Sequence, residues 1–336
     1  MERTVYQILR ALNIRPMSFW EIASFQDSTL SELTQTVGLM LRENQINFDP
    51  ESRRFAPSQP SRILPGGDNL CTDCHGKGVI PETRFKEALN RFLDLTTDRP
   101  PPVAEYNQGV IAPTDLALKS VFMYHRGDLE GRSVLLLGDD DLFSLFLSLL
   151  DLQCTVTVLD VDGRLIRYLK QKIKGAGFRI TARKYDVTAP LPRELQGAFD
   201  TFVTEPPEGL RGMRAFLGKA VDALSATGSG YFGLTTLESS LSKWLAIQKF
   251  LMEKGMVITD LLRNFSLYPE TGDPIQDYDE FPITEKLPVA AGPPDVDYFR
   301  SSLIRVEKTS SAEMKGDEGF YTDKDTWVTV DPEKKR

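Results

Sequence analysis

An α/β fold with a Rossmann-like sheet follows from two features of this 336-residue sequence. Short apolar runs alternate with helical segments, and glycine or an acid closes the runs. A third feature, helical segments followed by a hairpin pattern, places a winged-helix-like N-terminal domain ahead of that sheet.

Residues 1–58 form the first unit. TVYQILRALN and LSELTQTVGLMLREN carry apolar residues at helical spacing, and NQINFDPESRRFAPS reads as a hairpin turning at Asp49-Pro50. A DNA reader needs clustered positive charge, yet this unit holds six arginines, no lysine and seven acids. A dimerising or packing role is expected instead, and with it a homodimer. Residues 59–103 read as a connector that contains CTDCHGKG and ends in DRPPPV, whose prolines oppose regular helix.

The catalytic unit is expected over 104–307. SVLLLG (133–138) is a buried strand followed by a helix through DLFSLFLSLLDL. TVTVLDVD (155–162) is the next strand, and its helix RLIRYLKQKIKGAG ends on glycines. RITARKYDV (179–187), DTFVTEPP (200–207) and SGYFGLTT (229–236) add strands. Continuous apolar strands between helices predict a parallel sheet covered on both faces. Residues 308–336 mix charges without periodicity and are expected to be flexible.

Composition bounds the ligand. Hydrophobic residues at 41% and charged residues at 26% are ordinary for a soluble globular protein. The run Leu142 to Leu150 is too short for a bilayer, so no membrane partner is expected. MERTVYQILR lacks the apolar core of a signal peptide, which predicts a cytoplasmic protein. A net charge of −8 disfavours nucleic acid as the main ligand and suits a cation.

In a doubly wound sheet the ligand lies at the carboxyl ends of the strands. Gly138-Asp139-Asp140-Asp141 closes the first strand, Asp160 the second and Asp186 the third. Asp160 lies 22 residues after Gly138, the spacing of an acid that accepts ribose hydroxyls, and Asp186 is placed for an adenine amino group. A dinucleotide fold wants glycines in the first turn so that backbone N–H groups approach phosphate. Here three carboxylates stand where phosphates would lie, and the carboxylate of S-adenosylmethionine would face them as well. Decarboxylated S-adenosylmethionine instead presents a sulfonium and a primary ammonium. One such pair at about 4 Å and an effective dielectric near 20 is worth roughly 4 kcal/mol before desolvation.

Thr204-Glu205-Pro206-Pro207-Glu208 forms a second constellation, a rigid acid-Pro-Pro loop at a strand end of the kind that holds an acceptor amine in methyltransferase-type folds. Tyr106-Asn107-Gln108 precedes the sheet and is placed to fold over the same site. Residues 270–300, with eight acids and two bases, read as an acidic loop or a guide for a polycation. Cys71-Thr72-Asp73-Cys74-His75 is the attachment sequence of c-type haem, which requires export. It is equally half of a zinc knuckle, to be completed by His75 or a second copy, or a reduced structural turn.

Over nearly its whole length the chain resembles the branched-chain polyamine synthases, the N(4)-bis(aminopropyl)spermidine synthases. The resemblance rests on HRGDLEG (125–131), LLLGDDDL (135–142), VLDVDGRLI (158–166), FDTFVTEPPE (199–208), RAFLGKA (214–220), GYFGLTTLESSLSKW (230–244) and VITDLLRNF (257–265). It implies transfer of aminopropyl groups from decarboxylated S-adenosylmethionine to the internal amine of spermidine, with release of 5′-methylthioadenosine. It also implies that Asp139, Asp140 and Asp141 lie in the catalytic cavity, that Asp160 and Asp186 hold the nucleoside, and that the Glu205 loop faces the acceptor. Two departures bear on the acceptor: Asn107 where the family usually has Asp, and Glu205 where it usually has Asp. Asp140 is expected as the proton acceptor, with Glu205 second. An N-methyltransferase using S-adenosylmethionine is the alternative, and a DNA-binding polyamine sensor a third reading.

Overall fold

The computed structural model describes residues 2–59, 71–269 and 283–309. Three helices, α1 (Arg3–Leu12), α2 (Phe19–Phe25) and α3 (Leu30–Arg42), precede a hairpin of β1 (Ile46–Asp49) and β2 (Arg54–Pro57). Capping boxes start two of the helices: Ser18 exchanges bonds with Glu21, and Thr29 with Glu32. Asp49 accepts from Glu51 N and Ser52 Oγ, which closes the hairpin turn. The apolar core of this unit is shared with Leu237, Leu287, Ala291 and Tyr298, so it packs directly on the larger unit.

The stretch read as a connector contains a helix. α4 (Thr83–Leu95) ends before the prolines at 100–102, and buries Phe85, Ala88 and Phe92 among residues of the next two helices. Those are α5 (Pro113–His125) and, after β3 (Ser133–Leu137), α6 (Phe143–Leu149). Phe92 is 1% exposed and meets Phe146 edge to face at 5.6 Å. Phe92→Ala is therefore expected to cost about 3–5 kcal/mol and to lower Tm by on the order of 10 °C. Scanning calorimetry checks this, and an unchanged Tm would show that α4 is only a linker.

The sheet continues through β4 (Thr155–Asp160), α7 (Gly163–Ile173), β5 (Ile180–Lys184), β6 (Phe199–Thr204), α8 (Leu210–Ala223) and β7 (Leu224–Thr235). Then come α9 (Leu241–Glu253), β8 (Met256–Leu267) and β9 (Arg300–Lys308). The seven strands lie in the order β5-β4-β3-β6-β7-β9-β8. The expected parallel sheet is corrected to a mixed one: β5 to β7 are parallel, but β9 runs antiparallel to β7 and β8 antiparallel to β9. β8 is an edge strand with alternating burial, unlike the continuous apolar runs of the centre. Alternate residues of β3 feed opposite cores, Val134 and Leu136 toward α4–α7, Leu135 and Leu137 toward α8 and α9. The strand order reverses between β3 and β6, so their carboxyl ends open a crevice there. Residues 270–282 of the acidic segment, and the tail from 310, lie outside the described residues. No described helix is long and apolar enough to cross a membrane.

Candidate active site

β3 delivers Gly138 and three aspartates into this crevice. Gly138 turns the chain at φ 83° and Leu142 takes φ 58°, so the acidic loop is pinched between two left-handed residues before α6 starts. Asp139 turns back to cap that helix, its carboxylate accepting from Ser144 N at 3.2 Å and from Ser144 Oγ. Asp140 Oδ2 accepts from Gly109 N at 3.2 Å, and Asp141 Oδ1 from Ile111 N at 2.6 Å. The segment ahead of α5 thus lies over the loop and donates backbone N–H groups to it. Arg99 caps the carbonyl of Asp140.

Opposite stands Glu205, at the end of β6. Its Oε1 accepts from Lys119 Nζ at 2.6 Å and its Oε2 from the Tyr268 hydroxyl at 3.0 Å. Lys119 sits on α5 with its side chain 1% exposed. A Cβ on Gly233 would come within 1.8 Å of Glu205 Oε2, so the carboxylate occupies space that only glycine leaves. Gly233→Ala is expected to displace Glu205 and cut kcat by roughly ten-fold or more, since a misplacement of about 1 Å can cost 10²-fold. Steady-state kinetics checks it, and wild-type kcat would remove Glu205 from the reaction.

One pocket is lined by all three aspartates, Gly138, Glu205, Lys119 and Phe143. The sequence brought the first five positions to attention from two separate motifs. Pro206 is buried, and Pro207 packs against α8 at Gly212, where a Cβ would lie 3.0 Å from its ring. Glu208 is a brace: its carboxylate takes Thr235 N, Thr235 Oγ1 at 2.9 Å and Ser239 Oγ at 2.6 Å.

Asp160, Asp186 and the Tyr106-Asn107-Gln108 segment are not among the residues that line this pocket. Asp160 Oδ2 accepts from Asp139 N at 2.9 Å and Oδ1 from Asp162 N at 2.7 Å, tying the β4 end to the acidic loop. Asp186 is exposed and closes its own turn through Thr188 N at 2.8 Å. Gln108 is buried, accepting from Val103 N at 2.9 Å and donating to Asp162 at 3.2 Å, beside Arg164. Tyr106 and Asn107 are exposed. Asn107 has φ 52°, a left-handed conformation that favours Asn among the non-glycine residues.

Burial and crowding raise the carboxylates of the acidic loop. Burial, offset by bonds from Ser144 and reinforced by Asp160 and Asp141, pushes Asp139 up to about 8. Burial, countered by Lys119 and reinforced by Glu205, pushes Asp141 up to about 6. Burial and the neighbouring Asp141 and Asp160 raise Asp140 well above the usual carboxylate range. Burial and Glu205 likewise hold Tyr268 as a neutral phenol.

Lys119 and Tyr268 escaped sequence reading. The only signal for Lys119 was one lysine inside the otherwise buried run LALKSVFM; Tyr268 follows a strand that the apolar pattern did not reveal. Cys71 and Cys74 lie in a turn whose Lys77 pairs with Asp115 of α5, one helical turn before Lys119. Backbone N–H groups of Gly78 and Gly76 draw the Cys74 thiol down. Two thiols are half of a tetrahedral zinc site, and among the described residues no group of three or more His, Cys, Asp or Glu could hold a metal. The pair by itself does not fit a closed zinc centre.

The sequence model of the branched-chain polyamine synthase A C-terminal domain matches residues 87–328. The N(4)-bis(aminopropyl)spermidine synthase of Methanocaldococcus jannaschii is 33% identical over 334 residues, covering 96% of this chain and 91% of that protein. The enzyme of the same name from Thermus thermophilus is 36% identical over 252 residues, 74% of this chain and 71% of that one. The crystal structure of the branched-chain polyamine synthase from Thermus thermophilus, in complex with N4-aminopropylspermidine and 5′-methylthioadenosine, superposes with a TM-score of 0.83 at 32% identity. It covers 93% of this chain and 89% of that one. With the acidic loop and the acid-Pro-Pro loop facing each other across one crevice, the chain belongs to the branched-chain polyamine synthase family.

Proposed function

We propose that this chain is an aminopropyltransferase. It moves aminopropyl groups from decarboxylated S-adenosylmethionine to the internal amine of spermidine or a related polyamine, giving branched polyamines and 5′-methylthioadenosine. The observation that carries the reading is the pocket itself, with Asp139, Asp140, Asp141 and Glu205 on its walls where a phosphate-binding turn would have glycines. The ligands named for the Thermus thermophilus structure are the product of one such transfer and the spent donor.

Asp140 is the proposed proton acceptor. Its Oδ2 is oriented by Gly109 N, and its Oδ1 has no partner among the described residues. The new N–C bond forms as the C–S bond breaks, its electron pair returning to sulfur. Positive charge moves from sulfur to nitrogen, where Asp140 and Asp141 stabilise it; in the first transfer Asp140 takes the surplus proton, and a second transfer onto the tertiary nitrogen releases none. Asp160 and Asp186 are proposed to hold the nucleoside, and Tyr106, Asn107, Gln108 and the Pro206-Pro207 turn to close over the acceptor. Glu208 fixes the shape of that turn from behind. The reading extends to a cytoplasmic homodimer of catalytic units, each with a winged-helix-like domain and no nucleic-acid partner. The excess of acids over arginines in residues 1–58 supports the last point, and light scattering on the purified protein tests the first.

Mass spectrometry of products from spermidine, thermospermine and spermine with decarboxylated donor tests the function. Branched products one or two aminopropyl units heavier support it. Methylated amines formed from intact S-adenosylmethionine would overturn it in favour of methyl transfer.

A further inference from the structure

The pocket between the acidic loop and Glu205 contains a buried cation. Lys119 has its Nζ 2.6 Å from Glu205 and lines the same cavity as the three aspartates. Burial of an ammonium is expensive, and an apolar side chain of similar length would pack α5 without that penalty. One of its three N–H donors is used by Glu205, and Lys119 Nζ makes no second hydrogen bond among the described residues. The face of Phe143 lies 5.7 Å away, and the charge of Lys119 also acts on Asp141.

The surrounding charges define what this cation does. Asp139, Asp140 and Asp141 face it from the loop after β3, Glu205 from β6, and the Tyr268 phenol from the end of β8. Asp115, one turn earlier on α5, is already paired with Lys77, and Arg99 lies beyond Asp140 on its carbonyl. Without Lys119 every ionisable group on the pocket wall would be an acid. Such a field stabilises ammonium groups, including the one that must become the nucleophile.

Resting on the aminopropyl-transfer reading, we propose that Lys119 is a positioning and charge-setting residue. Its cation cancels Glu205 on one side of the pocket, so the acceptor nitrogen, lying between that pair and Asp140, is held as a free amine. Glu205, with both oxygens engaged, orients the acceptor rather than taking its proton.

The test is the pH profile of kcat/KM for spermidine at saturating donor, in the wild type, Lys119→Met, Lys119→Arg, Glu205→Gln and Lys119→Met/Glu205→Gln. Lys119→Met is expected to move the alkaline rise upward by about one pH unit, a loss of on the order of ten-fold at pH 7 that is recovered near pH 9. Lys119→Arg keeps the profile. Glu205→Gln moves it downward, and the double variant, which restores the net charge of the pair, returns it to the wild-type position whatever its kcat. Should Lys119→Met fail to fold, the comparison of Glu205→Gln with the double variant still decides. A profile that does not follow net charge overturns the proposal and leaves Lys119 a packing residue. Absence of wild-type turnover removes the aminopropyl-transfer reading itself, and this inference with it.

Discussion

Asp140→Asn is expected to lower kcat by about 10²–10⁴-fold, the range for loss of a general base, while the decarboxylated donor still binds. Asparagine has the same shape, and its amide oxygen can keep the bond from Gly109 N. What disappears is the site that receives a proton. The neighbours are spent differently. Asp139 has both oxygens on Ser144, so Asp139→Asn should weaken the start of α6 more than the chemistry. Asp141 is held by Ile111 N and faces the charge of Lys119. Single-turnover kinetics beside calorimetric titration of the donor separates these roles. Near-normal turnover in Asp140→Asn would place the base elsewhere.

The second large effect is proton release on substrate binding. Asp139 at about 8 means that, in the ligand-free protein at pH 7, this carboxylate is mostly protonated; Asp140 is raised as well. Raised carboxylates oppose the fold in their charged form. Their penalty is absent below the unfolded value of about 4, grows as pH rises, and is complete once pH passes the folded value, about 6 for Asp141 and about 8 for Asp139. A polycation reverses this by favouring the carboxylates, so binding near pH 7 should expel about one proton or more. Calorimetry in buffers of different ionisation enthalpy reads the number directly. By the same sign, affinity for polyamine and kcat/KM both rise between pH 6 and 8, and polyamine raises Tm more at pH 8 than at pH 6. Binding without proton exchange would show that the aspartates are already ionised and that their crowding is relieved in some other way.

The centre of the fold was legible because β3, β4 and β6 carry largely apolar runs that lead into glycine or an acid. The acidic loop was legible for the same reason: Gly138 marks the turn, and three consecutive aspartates have no place in a phosphate site. α4 was hidden by its flanks, glycines and cysteines before it and prolines after it. β8 was hidden because an edge strand alternates and its register shifts twice, and β9 because Ser301, Ser302 and Arg305 interrupt its buried run. Lys119 and Glu205 are 86 residues apart, and local pattern carries no information on which buried lysine meets which acid. Glu208 shows the converse. Its place in the acid-Pro-Pro-acid motif suggested substrate contact, yet Thr235 and Ser239 close on it from β7 and the turn beyond. The longer acid at 205 also gains a physical meaning: it reaches both Lys119 and Tyr268 across the space above Gly233.

Calorimetric titration with intact and with decarboxylated S-adenosylmethionine tests most directly whether this pocket is built for cationic substrates. The two ligands differ by one carboxylate, and a charge pair at about 4 Å is worth roughly 4 kcal/mol before desolvation. The decarboxylated compound should bind at least about 100-fold more tightly, a difference of about 2.7 kcal/mol, and the gap should narrow in Asp141→Asn. Equal affinity, or a preference for the intact compound, would contradict the electrostatic account of Asp139, Asp140 and Asp141.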